Sequence, residues 1–304
     1  MGFLYILEQI RDPFLNKIFL AVTALGEETA FLVIGLILFW CFSKRRGYYL
    51  MSVGFLGTIT SQAMKIACKV PRPWVKDPNF TILEEAREAA AGYSFPSGHT
   101  QTAVGTFGAI AKTSQEDYTR FVCIMLAALV GFSRMYVGVH TPADVAVGAA
   151  ISLVFIFALH PLMMGEKDRT FPVLIAMSVI SLVYLIVMEC VSFPADIDDH
   201  NLQSAMKNAY TLLGATAGLA LVYPLEKKYV NFREEAVWWV QVIKVVLGLA
   251  VVLAVKEGLR APLDWIFGGH LAARTVRYFL IVIVAGLLWP MTFRYFEKLD
   301  KKKD

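Results

Sequence analysis

The sequence predicts an all-α fold, a polytopic membrane helical bundle with about nine spans. Hydrophobic residues make up 57% of the 304 residues, and the mean hydropathy is +0.56. This composition is too apolar for a soluble globular domain. Long apolar runs alternate with short segments rich in Lys and Arg, which is typical of helices joined by membrane-surface loops. The formal net charge of +4 comes from these segments, so it indicates membrane orientation and argues against a nucleic-acid partner.

The first 28 residues are predicted to lie along the membrane surface. An amphipathic pattern over residues 3 to 25 is broken by Asp12-Pro13 and interrupted by charged side chains, which indicates one or two interfacial helices and not a span. The start of the chain lacks a signal-peptide pattern. We therefore expect the spans themselves to direct membrane insertion.

Nine apolar runs follow, and they divide into two predicted regions. A membrane core over residues 29–165 contains five spans, and residues 166–304 add four more that pack on this core. A polar segment over residues 70–95 interrupts the core, with a short surface helix predicted for Leu83 to Ala91. The predicted spans are Thr29–Phe42, Tyr48–Cys68, His99–Ala111, Phe121–Met135, Val145–Met163, Phe171–Val191, Ala205–Tyr223, Trp238–Val255 and Val276–Phe293.

The distribution of basic residues predicts the orientation of the bundle. One threading of nine spans places all the basic loops on a single side, which the positive-inside rule assigns to the cytoplasm. The segment 70–98, His140 and the acidic loop Asp196 to Asp199 then lie on the extracytoplasmic face. The basic loops are Lys44-Arg45-Arg46, Lys112 with Arg120, Lys167 with Arg169, Lys227-Lys228 with Arg233, and the tail Lys298 to Asp304.

A histidine and a carboxylate stand between the fourth and fifth predicted spans. Thr141 is typical of a helix N-cap and Pro142 of the first helical residue, so a new helix is predicted directly after His140. Asp144 then lies one turn from His140. Its carboxylate could accept a proton from one ring nitrogen and leave the other as a nucleophile or base. The alternative is that Asp144 only completes a cap and His140 is an interfacial residue without a catalytic role.

Two further polar motifs lie on the same predicted face. Lys65 and Arg72 flank the exit of the second span, where both could turn toward a site or simply extend to the membrane surface. Ser97, Gly98 and His99 open the third span. A capped helix N-terminus with a glycine for close approach is a seat for an anion, although it could also be an ordinary cap beside a surface histidine.

Taken in order, these motifs closely resemble the three-part signature of the type 2 phosphatidic acid phosphatase superfamily, over roughly residues 49 to 150. That family includes lipid and polyprenyl diphosphate phosphatases, glucose-6-phosphatase-like enzymes, sphingosine phosphate phosphatases and soluble vanadium haloperoxidases. The matching motifs are Lys65 with six residues to Arg72-Pro73, then Pro96-Ser97-Gly98-His99, and Ser133-Arg134 with five residues to His140 and three more to Asp144.

The resemblance implies a metal-free reaction through a phosphohistidine. His140, oriented by Asp144, would attack phosphorus, while His99 would protonate the leaving oxygen and then activate water. Neither a cofactor nor a metal site is expected. The implied phosphate-binding residues are Lys65, Arg72, Ser97, Gly98 and Arg134.

The expected protein is an integral hydrolase of the cell membrane that removes the phosphate of a lipid phosphomonoester or polyprenyl diphosphate. Its partners would be the bilayer and the lipid substrate, and its site would face the extracytoplasmic side. One alternative is a phosphatase for a soluble phosphate such as a sugar phosphate. Another is a non-catalytic lipid phosphate transporter, although the inverted repeats and paired broken spans expected of a transporter are not visible. The four cysteines, Cys41, Cys68, Cys123 and Cys190, have no spacing that indicates a disulfide framework or metal knuckle.

Overall fold

A computed structural model describes residues 1–90, 92–194 and 197–300. It is 79% helix, and no strand occurs in the described ranges, which confirms the predicted all-α class. The last four residues of the predicted basic tail, and Asp196 of the predicted acidic loop, lie outside the described residues.

Eight of the nine predicted apolar runs each correspond to one helix, and the ninth is divided among α13, a π-helical turn, α14 and the start of α15. The chain breaks at Asp12-Pro13 as predicted, because the Asp12 side chain caps α2 by accepting hydrogen bonds from the Phe14 and Leu15 amides. The helices are α1 Gly2–Gln9, α2 Pro13–Ala24, α3 Glu28–Cys41, α4 Lys44–Cys68, α5 Pro73–Lys76, α6 Gly98–Thr113, α7 Asp117–Tyr136, α8 Pro142–Met163, α9 Thr170–Cys190, α10 Asp199–Leu225, α11 Trp238–Gly258, α12 Arg260–Ile266, α13 Ala272–Ile283, α14 Trp289–Met291 and α15 Phe293–Asp300. Single π-helical turns follow α10 and α13, at Glu226–Val230 and Val284–Leu288.

Five helical segments of the described chain are long and apolar enough to cross a membrane. They are Asp117–Tyr136, Pro142–Met163, Thr170–Cys190, Trp238–Ile266 and Ala272–Phe296. A sixth is possible if α2 and α3, bent by 53°, form one broken span, whereas we predicted α2 to be interfacial. Helix α6 has 16 residues and is shorter than the other candidates. Helices α4 and α10 are long enough but less apolar, since they carry polar residues such as Ser61 and Thr211, which are buried inside the protein. An integral membrane helical protein is thus supported, and the nine-span topology stays a prediction.

Residues of the chain cluster into two compact units. The first comprises residues 1–32, 53–161 and 192–205, and the second comprises residues 33–52, 162–191 and 206–304. All three polar motifs belong to the first unit. The predicted regions 1–28, 29–165 and 166–304 are a separate division of the sequence, and they stay a prediction.

Within the first unit, α7 is the central helix. It packs along α6 and against α1 and α2. The prediction of one short surface helix for Leu83 to Ala91 is wrong over its described residues, which form two 3₁₀ turns, Glu84–Ala86 and Glu88–Ala90, while Ala91 lies outside the described residues. The small side chains Ala86 and Ala90 are buried against Tyr136, Val137 and Val139 at the end of α7, and this close packing favours tight turns over a regular helix.

Within the second unit, three of the predicted basic loops meet. Lys44 Nζ lies 3.0 Å from Glu226 Oε1, and Arg45 donates hydrogen bonds to the carbonyls of Met163 and Gly165. The Tyr223 hydroxyl donates to Asp168 Oδ2 at 2.7 Å. These contacts join the loops at residues 44–46, 163–169 and 226–232, which agrees with their predicted location on a common side.

We predict that residues 76–90 are extracytoplasmic and that the loop between α6 and α7 is cytoplasmic. In a background without native cysteines, an impermeant maleimide should label Glu85→Cys from outside intact cells and should leave Gln115→Cys unlabelled until the cells are opened. Both positions are exposed, so access to the thiol is limited by the membrane alone. The reverse labelling pattern would invert the topology and place the motifs on the cytoplasmic side.

Candidate active site

The first turn of α8 is closed by a capping box between Thr141 and Asp144. The Thr141 amide donates to Asp144 Oδ2 at 2.7 Å, and the Asp144 amide donates to Thr141 Oγ1 at 3.3 Å. The predicted start of this helix at Pro142 is therefore confirmed. Asp144 is only 1% exposed, so the bond from the Thr141 amide replaces part of the solvation that water would otherwise give its carboxylate.

The imidazole of His140 lies against the same carboxylate. His140 Nδ1 is 3.5 Å from Asp144 Oδ2, the outer limit of direct contact. Ser94 fills the remaining space, since its hydroxyl donates to Asp144 Oδ2 at 2.5 Å and lies 3.4 Å from His140 Nδ1. Carboxylate and hydroxyl together face one ring nitrogen, which favours the tautomer with the proton on Nδ1.

The other ring nitrogen faces a cation. Arg72 Nη1 lies 2.9 Å from His140 Nε2 and donates toward it, which requires a lone pair on that nitrogen. Burial lowers the pKa of His140 well below its ordinary value, and the neighbouring charges of Arg72, Arg134 and Lys65 lower it further. The structure thus keeps His140 neutral, with a lone pair on Nε2 that accepts a hydrogen bond from Arg72.

Main-chain carbonyls of one short loop orient two of the predicted phosphate-binding cations. Arg72 donates from Nε to the Gly92 carbonyl at 2.9 Å, and also from Nη1 to the Val139 carbonyl at 3.0 Å. Lys65 Nζ donates to the Tyr93 carbonyl at 2.7 Å. Because an ammonium group has three N–H donors, Lys65 retains donors for a phosphate oxygen.

The third predicted cation, Arg134, lies near the end of α7 and is 1% exposed. Its Nη1 donates to Thr23 Oγ1 of α2 at 2.7 Å. Within the described part of the chain, Arg134 Nε and Nη2 are buried without a hydrogen-bond partner, and so is His99 Nε2. Buried polar groups are rarely left unpaired, so these atoms fit a ligand that supplies oxygen atoms.

Ser97 and Gly98 form the N-terminus of α6. Ser97 is its N-cap, as predicted, and its oxygen accepts hydrogen bonds from the amide and hydroxyl of Thr100. The Ser97 amide donates to the Asp144 carbonyl at 3.0 Å, which joins the starts of α6 and α8. A Cβ atom placed on Gly98 would meet nothing within 4 Å, so there is open space beside this helix end.

The structure brings together residues from all three motifs, with His140 contacting Arg72 and Asp144 joined to Ser97. Sequence reasoning missed two contributors, Ser94 and Thr23. Ser94 stands three residues before Ser97 and offers no spacing signal of its own. Thr23 is 111 positions from Arg134 and inside an apolar pattern, so no local signal could have identified it.

The residues do not form an obvious metal centre. Among the described residues, no group of three or more His, Cys, Asp or Glu side chains is arranged to hold a metal ion. The predicted independence from metals stays a prediction.

Comparisons with known proteins agree with the motif analysis. The family model described as PAP2 superfamily matches residues 45–168, and the model described as PAP2 superfamily phosphatase, transmembrane extension, matches residues 210–302. No solved structure matches the chain significantly.

Among the curated proteins that are similar to this chain are phosphatases whose names specify a lipid phosphate. Phosphatidylglycerophosphatase B of Bacillus subtilis is 28% identical over 53% of this chain and 81% of its own length. Undecaprenyl-diphosphatase BcrC of the same organism is 27% identical over 47% of this chain and 74% of its own length. A probable sphingosine-1-phosphate phosphatase of Dictyostelium discoideum is 28% identical over 50% of this chain, but the match spans only 39% of that relative. The chain belongs to the PAP2 superfamily of phosphatases, with a PAP2 domain followed by the transmembrane extension of that superfamily.

Proposed function

We propose that this membrane protein removes phosphate from a lipid phosphate or polyprenyl diphosphate through a phosphohistidine, at the extracytoplasmic membrane surface. The observation that carries the proposal is the environment of His140. One ring nitrogen faces Asp144 and Ser94, and the other presents its lone pair beside Arg72. These contacts support a neutral imidazole nucleophile, whose Nε2 lone pair would become free when Arg72 turns to the oxygens of an anionic substrate.

In the first step, His140 Nε2 attacks phosphorus while the bond from phosphorus to the leaving oxygen breaks. His99 donates a proton to that oxygen, which releases the lipid alcohol or the lipid monophosphate. Lys65, Arg72 and Arg134 bind the equatorial oxygens with the Ser97 hydroxyl and the Gly98 amide. These groups stabilise the transition state most strongly, because the transferring phosphoryl group then spreads its negative charge over the equatorial oxygens.

In the second step, His99 removes a proton from water, whose oxygen attacks the phosphohistidine. The bond from phosphorus to His140 Nε2 breaks, and inorganic phosphate leaves. Asp144 stabilises the positive charge that the ring carries while it is phosphorylated. Three fixed cations take the charge-neutralising role that metal ions have in many other phosphoryl transfers, and we propose that no metal takes part.

A lipid substrate is favoured over a soluble one because of where the site lies on α7. This span exposes large apolar side chains, including Phe121, Ile124, Met125 and Leu129, and carries Arg134 near its end. A lipid beside such a helix could present its phosphate to Arg134 while its tail remains in the bilayer. The lipid names of the relatives favour the same substrate class.

We predict that a phosphohistidine forms on His140 and accumulates when His99 is removed. An aryl phosphate with a good leaving group needs no general acid, so His99→Ala should complete the first step and stall before hydrolysis. Mass spectrometry of the quenched protein, with the reaction run in EDTA, should find one phosphoryl group on His140. His140→Ala should lose on the order of 10⁴-fold in turnover.

The matched control is His200→Ala, because His200 is exposed and outside the motifs. It should retain wild-type turnover. A phosphoryl group on another residue, or full activity in His140→Ala, would overturn the nucleophile assignment. Loss of wild-type activity in EDTA that Mg²⁺ restores would overturn the metal-free mechanism.

We predict that Arg72 adds to the effect of burial in extending activity to lower pH, by lowering the pKa of His140. A protonated imidazole cannot attack, and the depressed pKa of His140 keeps it neutral at pH values where an ordinary histidine, with a pKa of about 6.5, would be protonated. Removing the cation in Arg72→Gln should raise the pKa of His140 and move the acid limb of kcat/KM to higher pH. Arg72→Lys keeps the charge, so its limb should stay near the wild-type position even if its activity falls. If the acid limb of kcat/KM lies at the same pH in the wild type, Arg72→Gln and Arg72→Lys, this electrostatic role is refuted.

We predict that Gly98→Ala lowers activity without lowering stability. The added methyl group would enter open space and clash with nothing, and Ala is the better helix former by up to about 1 kcal/mol. The methyl group would nevertheless obstruct a phosphate approaching the helix end. Gly148→Ala is the contrasting variant, since its Cβ would lie 2.5 Å from the Ser97 carbonyl oxygen and should lower the thermal unfolding midpoint. Wild-type turnover in Gly98→Ala would remove Gly98 from the phosphate seat.

A further inference from the structure

Two adjacent loop residues, Gly92 and Tyr93, orient two cations through their main-chain carbonyls. The Gly92 carbonyl accepts from Arg72 Nε, and the adjacent Tyr93 carbonyl accepts from Lys65 Nζ. This segment therefore helps to position both cations, together with the Val139 carbonyl in the case of Arg72. The segment contains no charged side chain and belongs to none of the three sequence motifs.

The segment is held by the start of α10. The Tyr93 amide donates to Asn201 Oδ1 at 2.9 Å, and the Tyr93 hydroxyl accepts from the Asp198 amide at 3.1 Å. Asn201 is 6% exposed and lies so close to Gly92 that a Cβ atom there would overlap its side chain. Gly92 also has a φ of +80°, a backbone conformation that favours glycine.

The Asn201 side chain is also held in position by Asp198, independently of its contact with the loop. Its amide and its side-chain Nδ2 both donate to Asp198 Oδ1, at 2.9 and 2.8 Å. Asp198 thereby caps α10 and presets the Asn201 side chain with Oδ1 toward Tyr93. The result is a chain of hydrogen bonds from the helix end through the loop to Lys65.

We propose that Asn201 is a positioning residue for the phosphate seat, acting through Gly92-Tyr93 on Lys65 and Arg72. It lies outside residues 45–168 and 210–302, the ranges matched by the two family models, so neither model assigns it a role. The inference rests on the proposed phosphatase function. It gives the segment between the two ranges a role, which is to position the cations of the phosphate seat. Asn201 contacts no substrate, and its effect is on the geometry of the cations.

Phosphoryl transfer depends on the precise placement of the groups that bind the phosphate. A misplacement of catalytic groups by about 1 Å can cost on the order of 10²-fold in rate. Without Asn201 Oδ1, the Tyr93 amide loses its partner and the carbonyls on either side of it are freed to shift. Lys65 and Arg72 would then remain charged and present, but would no longer lie at the distances that the phosphate oxygens require.

The test uses full-length protein in detergent, with kcat/KM for an aryl phosphate and the inhibition constant of orthovanadate as readouts. Vanadate mimics the five-coordinate phosphorus, so its binding reports the geometry of the seat directly. In Asn201→Ala, the vanadate inhibition constant should rise on the order of tenfold and kcat/KM should fall by at least as much. A merely structural role would lower the thermal midpoint and the active fraction, but would leave vanadate affinity unchanged in the molecules that remain folded.

Exchange of the two side chains tests the hydrogen-bond chain more sharply. Asn201→Asp should be impaired, because its carboxylate would face that of Asp198. Asp198→Asn should be near wild type, because an amide oxygen can accept the same two bonds. The double variant Asp198→Asn with Asn201→Asp should recover much of the vanadate affinity, since the new amide can donate to the new carboxylate.

Gln203→Ala serves as the control on the same helix, as Gln203 is exposed. Wild-type vanadate affinity in Asn201→Ala, or no recovery in the double variant, would overturn the positioning role. Absence of phosphate release by the wild-type protein is a different result, because it would overturn the proposed function itself.

Discussion

The buried carboxylate of Asp144 is the constraint on which the rest of the site depends. Oδ2 accepts from the Thr141 amide and the Ser94 hydroxyl and lies beside His140 Nδ1. One atom therefore starts α8, fixes the loop before α6 and orients the imidazole. A carboxylate with 1% exposure is costly without such donors, so helix start, loop and ring position are determined together. The alternatives considered from the sequence, cap or catalytic partner, are not exclusive, because the cap geometry delivers the carboxylate to the ring.

The cations present the opposite problem, since Arg72 and Arg134 are buried beside one another and near Lys65. Like charges in a poorly solvated site repel and are expensive to bury. The protein orients them with neutral acceptors, main-chain carbonyls for Arg72 and Lys65 and a hydroxyl for Arg134. Neutral acceptors fix direction without cancelling charge. Asp144 and Glu27 balance part of the positive charge, and the oxygens of an anionic substrate would compensate the rest.

Sequence reasoning succeeded where the signal was local. The caps at Ser97 and Thr141 and the helix start at Pro142 follow from contacts within four residues, so their geometry could be predicted from spacing. The contacts of Thr23 with Arg134 and of Asn201 with Tyr93 join residues 111 and 108 positions apart, and no periodicity encodes them. The short helix predicted for Leu83 to Ala91 failed for a related reason, because packing on the end of α7 outweighs local helix propensity there.

These differences separate two kinds of residue in the site. The motifs contain the groups to which we assign chemistry, namely His140 as nucleophile, His99 as acid and the three cations, and they lie within the PAP2 domain match. Position comes in part from segments outside the PAP2 domain match, with Thr23 before it and Asn201 after it. A phosphoryl-transfer site tolerates little error in position, so these outer segments are under the same physical demand as the motifs. In the mechanism that we propose, Thr23 and Asn201 supply no reacting group, yet through their hydrogen bonds to Arg134 and Tyr93 they set where the cations lie.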